Sequence, residues 1–338
     1  MAIEIIGTGK AIPSRRVSND ELATRIDTSD EWIRSHTGIG SRHIVDDEAC
    51  SDLAVLAARE ALIMAEPKLS AEEAALTLDI VIVATCTGDY YGTPSTACIV
   101  QDKLGARNAG AFDIAAACTG FVYALETAAG LLSINPDRKR AMVIGAETLS
   151  KFTNWEDRNS CVLFGDGAGA AVLEKTQNPA SGAEKRGLIR STMMADGSGA
   201  GHITFKGGGS REPFKNGQTL EKATHIQING QAVYNFAVNA VKETIEDILY
   251  KEGITADDVT WIIPHQANGR IVQAAAKRLK IPEEKFFLNL EKFANTSAAS
   301  IPIALDELNR GGKLKKGDLI LTVGFGGGLT YGANLIIW

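Results

Sequence analysis

The second half of this chain runs the same series of elements as the first, and nothing else in it restricts the fold so much. Ser51 to Met64 reads as an amphipathic helix, followed by the polar turn Ser70-Ala71-Glu72-Glu73 and the apolar run LDIVIVA, Leu78 to Ala84. The segment from Ala232 to Ile263 repeats that order, with its own amphipathic helix, the turn Thr255-Ala256-Asp257-Asp258 and the run VTWII. Thr96 to Leu104 then matches Arg270 to Leu279, Phe112 to Ala115 matches Lys285 to Leu290, and Arg140 to Gly145 matches Asp318 to Val323. FGDGAGAAVLE likewise matches GFGGGLTYGANLII. A supersecondary series run twice is a duplicated βα unit. Apolar strands without alternation, interleaved with helices, predict an α/β fold on mainly parallel sheets covered on both faces. With 338 residues, 45% of them hydrophobic, the chain can fill two such halves. The halves are expected over residues 1–175 and 223–338, joined by a Gly-, Ser-, Lys- and Asn-rich crossing over 176–222.

A pseudo-twofold pairing of the halves brings equivalent turns face to face. In AFDIAAACTGFVYALETAAGLL, a short strand from Phe112 passes through small residues to Cys118, and Thr119-Gly120 opens an apolar helix. The dipole end of that helix is expected to lower the thiol from about 8.5 toward neutrality; the competing reading is a buried cysteine serving as a small hydrophobe. Asn295, in FANTS, is expected at the corresponding turn of the second half. His265, in PHQAN, follows the strand VTWII, at the carboxyl end where α/β sheets hold their ligands. Singly, the histidine could be a structural hydrogen-bonding group and the asparagine a helix cap. Convergence of all three at strand ends argues against accident.

Several function classes are excluded. A formal net charge of −6 argues against general nucleic-acid binding. No apolar run approaches the ~18 residues that span a bilayer, and MAIEIIGTGK lacks a charged segment followed by an apolar one, so the expected place is the cytoplasm, with no membrane partner. Cys50, Cys86, Cys98, Cys118 and Cys161 are odd in number and widely spaced, which suits reduced thiols better than disulfides or zinc. GDGAGA formally fits a dinucleotide fingerprint, yet strand-like AVLEK follows it where a helix would be needed. DEWIRSHTGIGSRH is expected as a surface loop, either stacking on something flat and anionic or merely packing its Trp32. CVLFGDGAGAAVLE is expected as two strands meeting at a glycine-rich bend.

Taken together, DEWIRSHTGI, AFDIAAACTGF, LFGDGAGA, PHQAN, NTSAAS and GFGGGLTYG, in that order, resemble the β-ketoacyl-[acyl carrier protein] synthase III family of thiolase-like condensing enzymes, over essentially the whole chain. The resemblance implies two βαβαβαββ halves in a five-layered α-β-α-β-α core, a homodimer, and a reaction that starts fatty acid biosynthesis. In that reaction acyl-CoA and malonyl-[acyl carrier protein] give 3-oxoacyl-carrier protein, CoA and carbon dioxide. It implies Cys118 as nucleophile, His265 and Asn295 as donors to the malonyl thioester oxygen, and the backbone N–H groups of Cys118 and Gly327 as oxyanion donors. No metal or redox cofactor is implied, acyl-CoA being a substrate.

The same resemblance makes Trp32 and Arg158 an adenine clamp for CoA, an aromatic face and a guanidinium suiting a purine, with Thr37 and Asn268 as further contacts. His36 stands where the family usually has arginine, and Asn159 where it commonly has glycine, which implies weaker or altered acyl-CoA binding. Carrier protein is acidic, so its docking patch must be basic. Arg270, Lys277 and Arg278 are spaced to share a helical face that serves this purpose or is simply solvated, and Asn235 replaces a common lysine there. Tyr90-Tyr91-Gly92-Thr93-Pro94 corresponds to the loop closing the partner subunit's acyl pocket. Thr93 in place of a bulky phenylalanine implies room for longer or branched primers. The alternative is a relative from secondary metabolism that uses the same Cys-His-Asn set on another acceptor, with a cysteine hydrolase or an acyl-binding scaffold behind it.

Overall fold

The computed structural model describes residues 1–177, 186–215 and 225–338. The first half begins with β1 (Ala2–Ala11), followed by the ribbon β2 (Arg15–Ser18) and β3 (Ser41–Ile44), between which lie α1 (Asn19–Ala23) and α2 (Asp30–Thr37). It continues through α3 (Cys50–Ala65), α4 (Ala71–Ala75), β4 (Ile80–Ala84), α5 (Thr96–Leu104), β5 (Gly110–Ile114) and α6 (Gly120–Ile134). The strand β6 (Arg140–Glu147), the single turn α7 (Arg158–Cys161) and β7 (Gly167–Thr176) complete it. The second half comprises β8 (Gly187–Ala195), β9 (Ile203–Phe205), β10 (Ile226–Ile228), α8 (Gly230–Glu252), β11 (Trp261–Pro264) and α9 (Gly269–Leu279). It ends with α10 (Leu290–Phe293), α11 (Ser300–Arg310), β12 (Leu319–Gly326) and β13 (Thr330–Ile337).

Two sheets carry the duplication. The first has the order β1-β7-β6-β4-β5 and the second β11-β12-β13-β8. Parallel β4 and β6 correspond to parallel β11 and β12, and the antiparallel run β6-β7-β1 corresponds to β12-β13-β8. The place of β5 is held in the second sheet by one isolated bridge, Ile262 to Phe286, so the strand expected over Lys285–Leu290 does not form. Pro282 and the charged turn Glu283–Lys285 leave only the two phenylalanines to pair. β8 lies within the stretch expected as the crossing, so the second half takes its outer strand from residues before 223.

Side chains decide which helix lies where. α6 and α11 pack between the sheets, with Phe121, Leu125 and Leu305 meeting Ile82 from one sheet and Ile263 and Ile320 from the other. A helix apolar all round is what such a double-sided position requires. For the same reason, and against the sequence expectation, Ala117–Ile134 is long and apolar enough to cross a membrane by composition, while its Phe121, Val122, Leu125 and Leu132 lie in this core. Burying Phe121 and Leu125 contributes about 1.5–3 kcal/mol each. α3 and α5 cover the outer face of the first sheet, α8 and α9 that of the second. The result is a five-layered, thiolase-like α-β-α-β-α core.

Close backbone approach fixes the two halves against each other. A Cβ on Gly145, in β6, would stand 2.2 Å from the carbonyl oxygen of Ala298. Gly145→Ala is therefore expected to destabilise the fold by about 2–4 kcal/mol, read as a lower denaturant midpoint.

Two local expectations are corrected. Residues 30–37 form a helix, not a loop, because the Ser29 hydroxyl accepts from the Trp32 N–H at 3.1 Å and Gly38, at φ 82°, ends the last turn. Residues 161–174 contain one strand, β7, preceded by α7. The Asp166 carboxylate binds the backbone N–H groups of Val45 and Ser150, each at 2.8 Å, and holds the glycine-rich segment as an approach rather than a strand.

Candidate active site

The site lies where two strained turns meet. After β5, Ala117–Thr119 makes one turn of 3₁₀ helix before α6; in the second half Ser297–Ala299 makes the same turn before α11. The first residue of each has a left-handed backbone, φ 44° at Ala117 and 48° at Ser297, a conformation costly for a residue with a Cβ and concentrated at functional sites. In this register the counterpart of Cys118 is Ala298, so Asn295 sits three residues ahead of the equivalent position. It is held there by a short pairing with the first half, its N–H donating to Leu163 at 2.9 Å and its carbonyl accepting from Gly165 at 3.1 Å. Its Oδ1 accepts from the Ser297 N–H at 2.9 Å, which leaves the Nδ2 donors free for another partner.

His265 follows β11, its N–H donating to Val323 at 2.8 Å. Its ring is 1% exposed and places Nδ1 2.7 Å from the Ser300 hydroxyl, in the first turn of α11. That hydroxyl also lies 2.9 Å from the Ser297 carbonyl. Turned toward the carbonyl, it leaves Nδ1 to donate and Nε2 bare; turned toward Nδ1, it makes Nε2 a donor.

Cys118, His265 and Asn295 line one cavity of about 170 Å³, whose other walls are mostly apolar, Phe325 and Leu163 among them. Its apolar lining sets the electrostatics. Burial lowers His265 to about 3, so the ring is neutral. Burial, with the carboxylate of Glu147 as a further cause, pushes the Cys118 thiol up to about 12. The expectation of a lowered thiol is thus reversed, because desolvation outweighs the end of α6. β12 abuts the thiol: a Cβ on Gly326 would lie 2.8 Å from the Cys118 Cβ, and one on Gly327 3.5 Å from that of Ala117. At position 326 only glycine permits that approach of backbone to the nucleophile's turn.

The residues expected to hold CoA cluster on α2, α7 and the start of α9. The Arg158 guanidinium lies 4.1 Å from the centre of the Trp32 ring, and His36 stacks on Trp32 with centroids 4.3 Å apart. At 4.1 Å the first pair is in direct contact, so a purine needing about 7 Å between two planes enters only if Arg158 swings away. Asn268 caps α9, accepting from the Arg270 N–H at 2.9 Å, and donates to the His36 carbonyl at 3.1 Å, which ties α9 to α2. Thr37 departs from expectation: it is buried, its hydroxyl donating to Ile33 at 2.6 Å and accepting from Ile39 at 3.0 Å. Its side chain finishes α2 instead of facing outward.

Arg270 and Lys277 line one shallow groove on α9, together with Tyr234. Arg278 is directed elsewhere, to Asn239 on α8 at 2.6 Å, and so does not share that groove. Asn235 pairs with Gln231 at 3.2 Å. Thr93 is exposed and outside the Cys118 cavity of its own chain, beside the exposed Tyr90 and Tyr91.

Sequence reasoning did not single out Ser297, Ser300, Glu147 or Gly326. The first two were present in NTSAAS as small polar residues of an apolar helix start, a signal that they bond locally. Glu147 had a signal as well: a carboxylate closing the apolar run Ala141–Ala146.

Comparison with known proteins agrees with the fold. The family described as 3-oxoacyl-[acyl-carrier-protein (ACP)] synthase III matches residues 112–197, and its C-terminal counterpart matches residues 249–338. A Clostridium perfringens protein named beta-ketoacyl-[acyl-carrier-protein] synthase III is 53% identical, covering 98% of each chain. The crystal structure of 3-oxoacyl-[acyl-carrier-protein] synthase III from Aquifex aeolicus superposes with a TM-score of 0.87 at 42% identity, over 99% of this chain and 100% of that one. The priming beta-ketosynthase of the R1128 polyketide biosynthetic pathway superposes at 0.86 with 32% identity, over 99% and 96%. With its two sheets, its meeting turns and these relatives, the chain belongs to the 3-oxoacyl-[acyl-carrier-protein] synthase III family.

Proposed function

We propose that the protein condenses an acyl-CoA primer with malonyl-[acyl carrier protein] through an acyl-Cys118 intermediate, initiating fatty acid biosynthesis. The observation that carries this reading is the shared cavity: a thiol, a neutral imidazole and a carboxamide face one small apolar space. As thiolate, Cys118 attacks the primer's thioester and CoA leaves, giving a ping-pong scheme. The backbone N–H groups of Cys118 and Gly327 stabilise the tetrahedral oxyanion, each such donor being worth roughly 3 kcal/mol. The malonyl thioester then occupies the same space. With the Ser300 hydroxyl turned toward Nδ1, His265 Nε2–H and Asn295 Nδ2 donate to its carbonyl oxygen. Loss of carbon dioxide leaves an enolate held by those donors, and its carbon attacks the acyl group.

The chemistry calls for no metal or redox cofactor, and acyl-CoA is consumed as a substrate. A CoA thioester and a carrier protein as substrates put the enzyme in the cytoplasm. Because burial keeps His265 neutral at any pH above about 3, its donor form survives throughout the ordinary range. Malonyl decarboxylation by the acylated enzyme should therefore show no acid limb assignable to this ring from about pH 5 upward.

Trp32 and Arg158 receive the adenine once Arg158 swings off the indole, Asn268 lines the passage inward, and the backbone at Thr37 borders it. For carrier protein, Arg270 and Lys277 are the docking cations, with Arg278 at their margin. Charge reversal at Arg270 and Lys277 together should raise the KM for malonyl-carrier protein at least about tenfold and leave that for acyl-CoA unaltered. The enzyme is a homodimer in this reading, with the edge strand β5 and its exposed Phe112 facing the partner. Thr93 then closes the partner's acyl pocket with a small side chain. A panel of acyl-CoA thioesters should show transfer of primers longer or more branched than acetyl, and strict acetyl preference would reject this.

The decisive test is mass spectrometry of Cys118 after incubation with acyl-CoA, then after addition of malonyl-carrier protein. The acyl mass should appear on Cys118 and then vanish as 3-oxoacyl-carrier protein forms. A second reading, a relative of secondary metabolism that acylates a different acceptor, shares with the priming ketosynthase of a polyketide pathway only its metabolic setting. It requires discharge of the acyl group to another acceptor without malonyl-carrier protein.

A further inference from the structure

The cavity that holds Cys118 offers a long substrate few places to make a hydrogen bond. Among the described residues, its polar side chains are those of Cys118, His265, Asn295, Asn268 and Tyr234. The first three face the reacting thioester in the proposed reaction. Asn268 is engaged with backbone, its Oδ1 accepting from the Arg270 N–H at 2.9 Å and its Nδ2 donating to the His36 carbonyl at 3.1 Å. That leaves Tyr234. It lies in the N-terminal part of α8, half-buried, with its side chain packed against the apolar core that α8 shares with α9. Among the described residues its hydroxyl has no hydrogen-bond partner.

Tyr234 also borders a second space. It is a wall of the groove of about 490 Å³ that carries Arg270 and Lys277, and among the described residues no other side chain lines both that groove and the Cys118 cavity. The phenol therefore stands on the boundary between the basic surface and the apolar interior. Coenzyme A and acyl carrier protein present their thioesters on the same pantetheine arm, which carries amide groups along its length. Burying an amide between apolar walls without a partner is costly, so a site that takes such an arm needs polar groups placed to meet it.

We propose that Tyr234 is a positioning residue for both substrates: its hydroxyl donates a hydrogen bond to an amide carbonyl of the pantetheine arm and so sets the thioester in register with Cys118. The inference rests on the reading of Cys118 as the nucleophile of the condensation. An arm led inward from a carrier protein docked on Arg270 and Lys277 meets this phenol at the boundary, before the apolar stretch of the cavity. A side chain that served only as a wall would need no oxygen there, since the ring of phenylalanine packs in the same way. The contact is made before and during the reaction alike, so it acts on the binding of the arm more than on the chemical step.

Tyr234→Phe tests this, because it removes one oxygen and keeps the ring, and its thermal unfolding should match that of the unaltered enzyme. Acylation of Cys118 is followed by peptide mass spectrometry with the same acyl group on two thiols. The CoA thioester carries the amides, and the S-ethyl thioester carries none. The second-order rate constant for acyl-CoA should fall about three- to tenfold, as for loss of one neutral hydrogen bond, while that for the S-ethyl thioester stays unchanged. The KM for malonyl-carrier protein should rise by a similar factor with kcat little altered. Equal loss with both thioesters would make the effect structural, and no loss with acyl-CoA, or an unmoved KM for malonyl-carrier protein, would remove the hydroxyl from binding; each of these overturns the proposal. Absence of any acyl mass on Cys118 in the unaltered enzyme would overturn it together with the nucleophile assignment beneath it.

Discussion

Cys118→Ala is expected to abolish acyl transfer, lowering it at least ~10⁴-fold, because in the proposed scheme the acyl-enzyme has no other atom on which to form. Mass spectrometry with acyl-CoA then finds no acyl mass on the active-site peptide, and 3-oxoacyl-carrier protein does not appear. The substitution removes one sulfur from a packed turn and keeps the φ of 44° at Ala117, so thermal unfolding should move little. Malonyl decarboxylation survives in this variant, since the His265 and Asn295 donors are untouched and the missing sulfur enlarges the cavity they share. Acyl transfer persisting in Cys118→Ala would sink the covalent mechanism. Cys86 is the other thiol near the site, but burial first, and the adjacent Glu147 carboxylate next, raise it well above the usual thiol range.

His265→Ala and Asn295→Ala separate the two halves of the reaction. Each removes one preorganised donor to the enolate oxygen, so condensation and decarboxylation should fall about 10²–10³-fold per variant. Acylation of Cys118 should persist, and the acyl-enzyme should accumulate to the level at which it can be weighed. Asn295→Asp is expected to fall further than Asn295→Ala, because a carboxylate opposes the enolate where the amide assisted it. Unchanged decarboxylation in both alanine variants would count against the donor roles. Ser300→Ala provides an internal check: it removes the hydroxyl 2.7 Å from Nδ1 that selects the tautomer, and should lower decarboxylation while leaving acylation in place.

How legible this was in the sequence differed from element to element. The helices of α5, α8 and α9 could be read from periodicity because each has one buried and one exposed face. The strand expected at Lys285–Leu290 could not be discounted, since its failure depends on Pro282 and a charged turn leaving too little edge to pair. Residues 30–37 carry little apolar pattern, because a short helix with a mostly polar surface shows almost none, and only the cap at Ser29 marks it in the sequence. Thr37 looked available for a ligand until its hydroxyl proved to be bonded on both sides within α2 and its exit. Arg278, in register with its neighbours by spacing alone, is drawn off by Asn239 from another helix.

The sequence by itself determined the duplication, the α/β class and the presence of a thiol, an imidazole and a carboxamide near strand ends, since each depends on local order and on periodicity. Only the tertiary structure decided that burial pushes the Cys118 thiol up, that the Ser300 hydroxyl meets Nδ1 of His265, and that the buried Glu147 carboxylate is held by Thr85, Cys86 and Thr87. Those properties are sums over atoms contributed by segments far apart in the chain: the loss of water around a group, and the charges left beside it, exist only once both halves have closed.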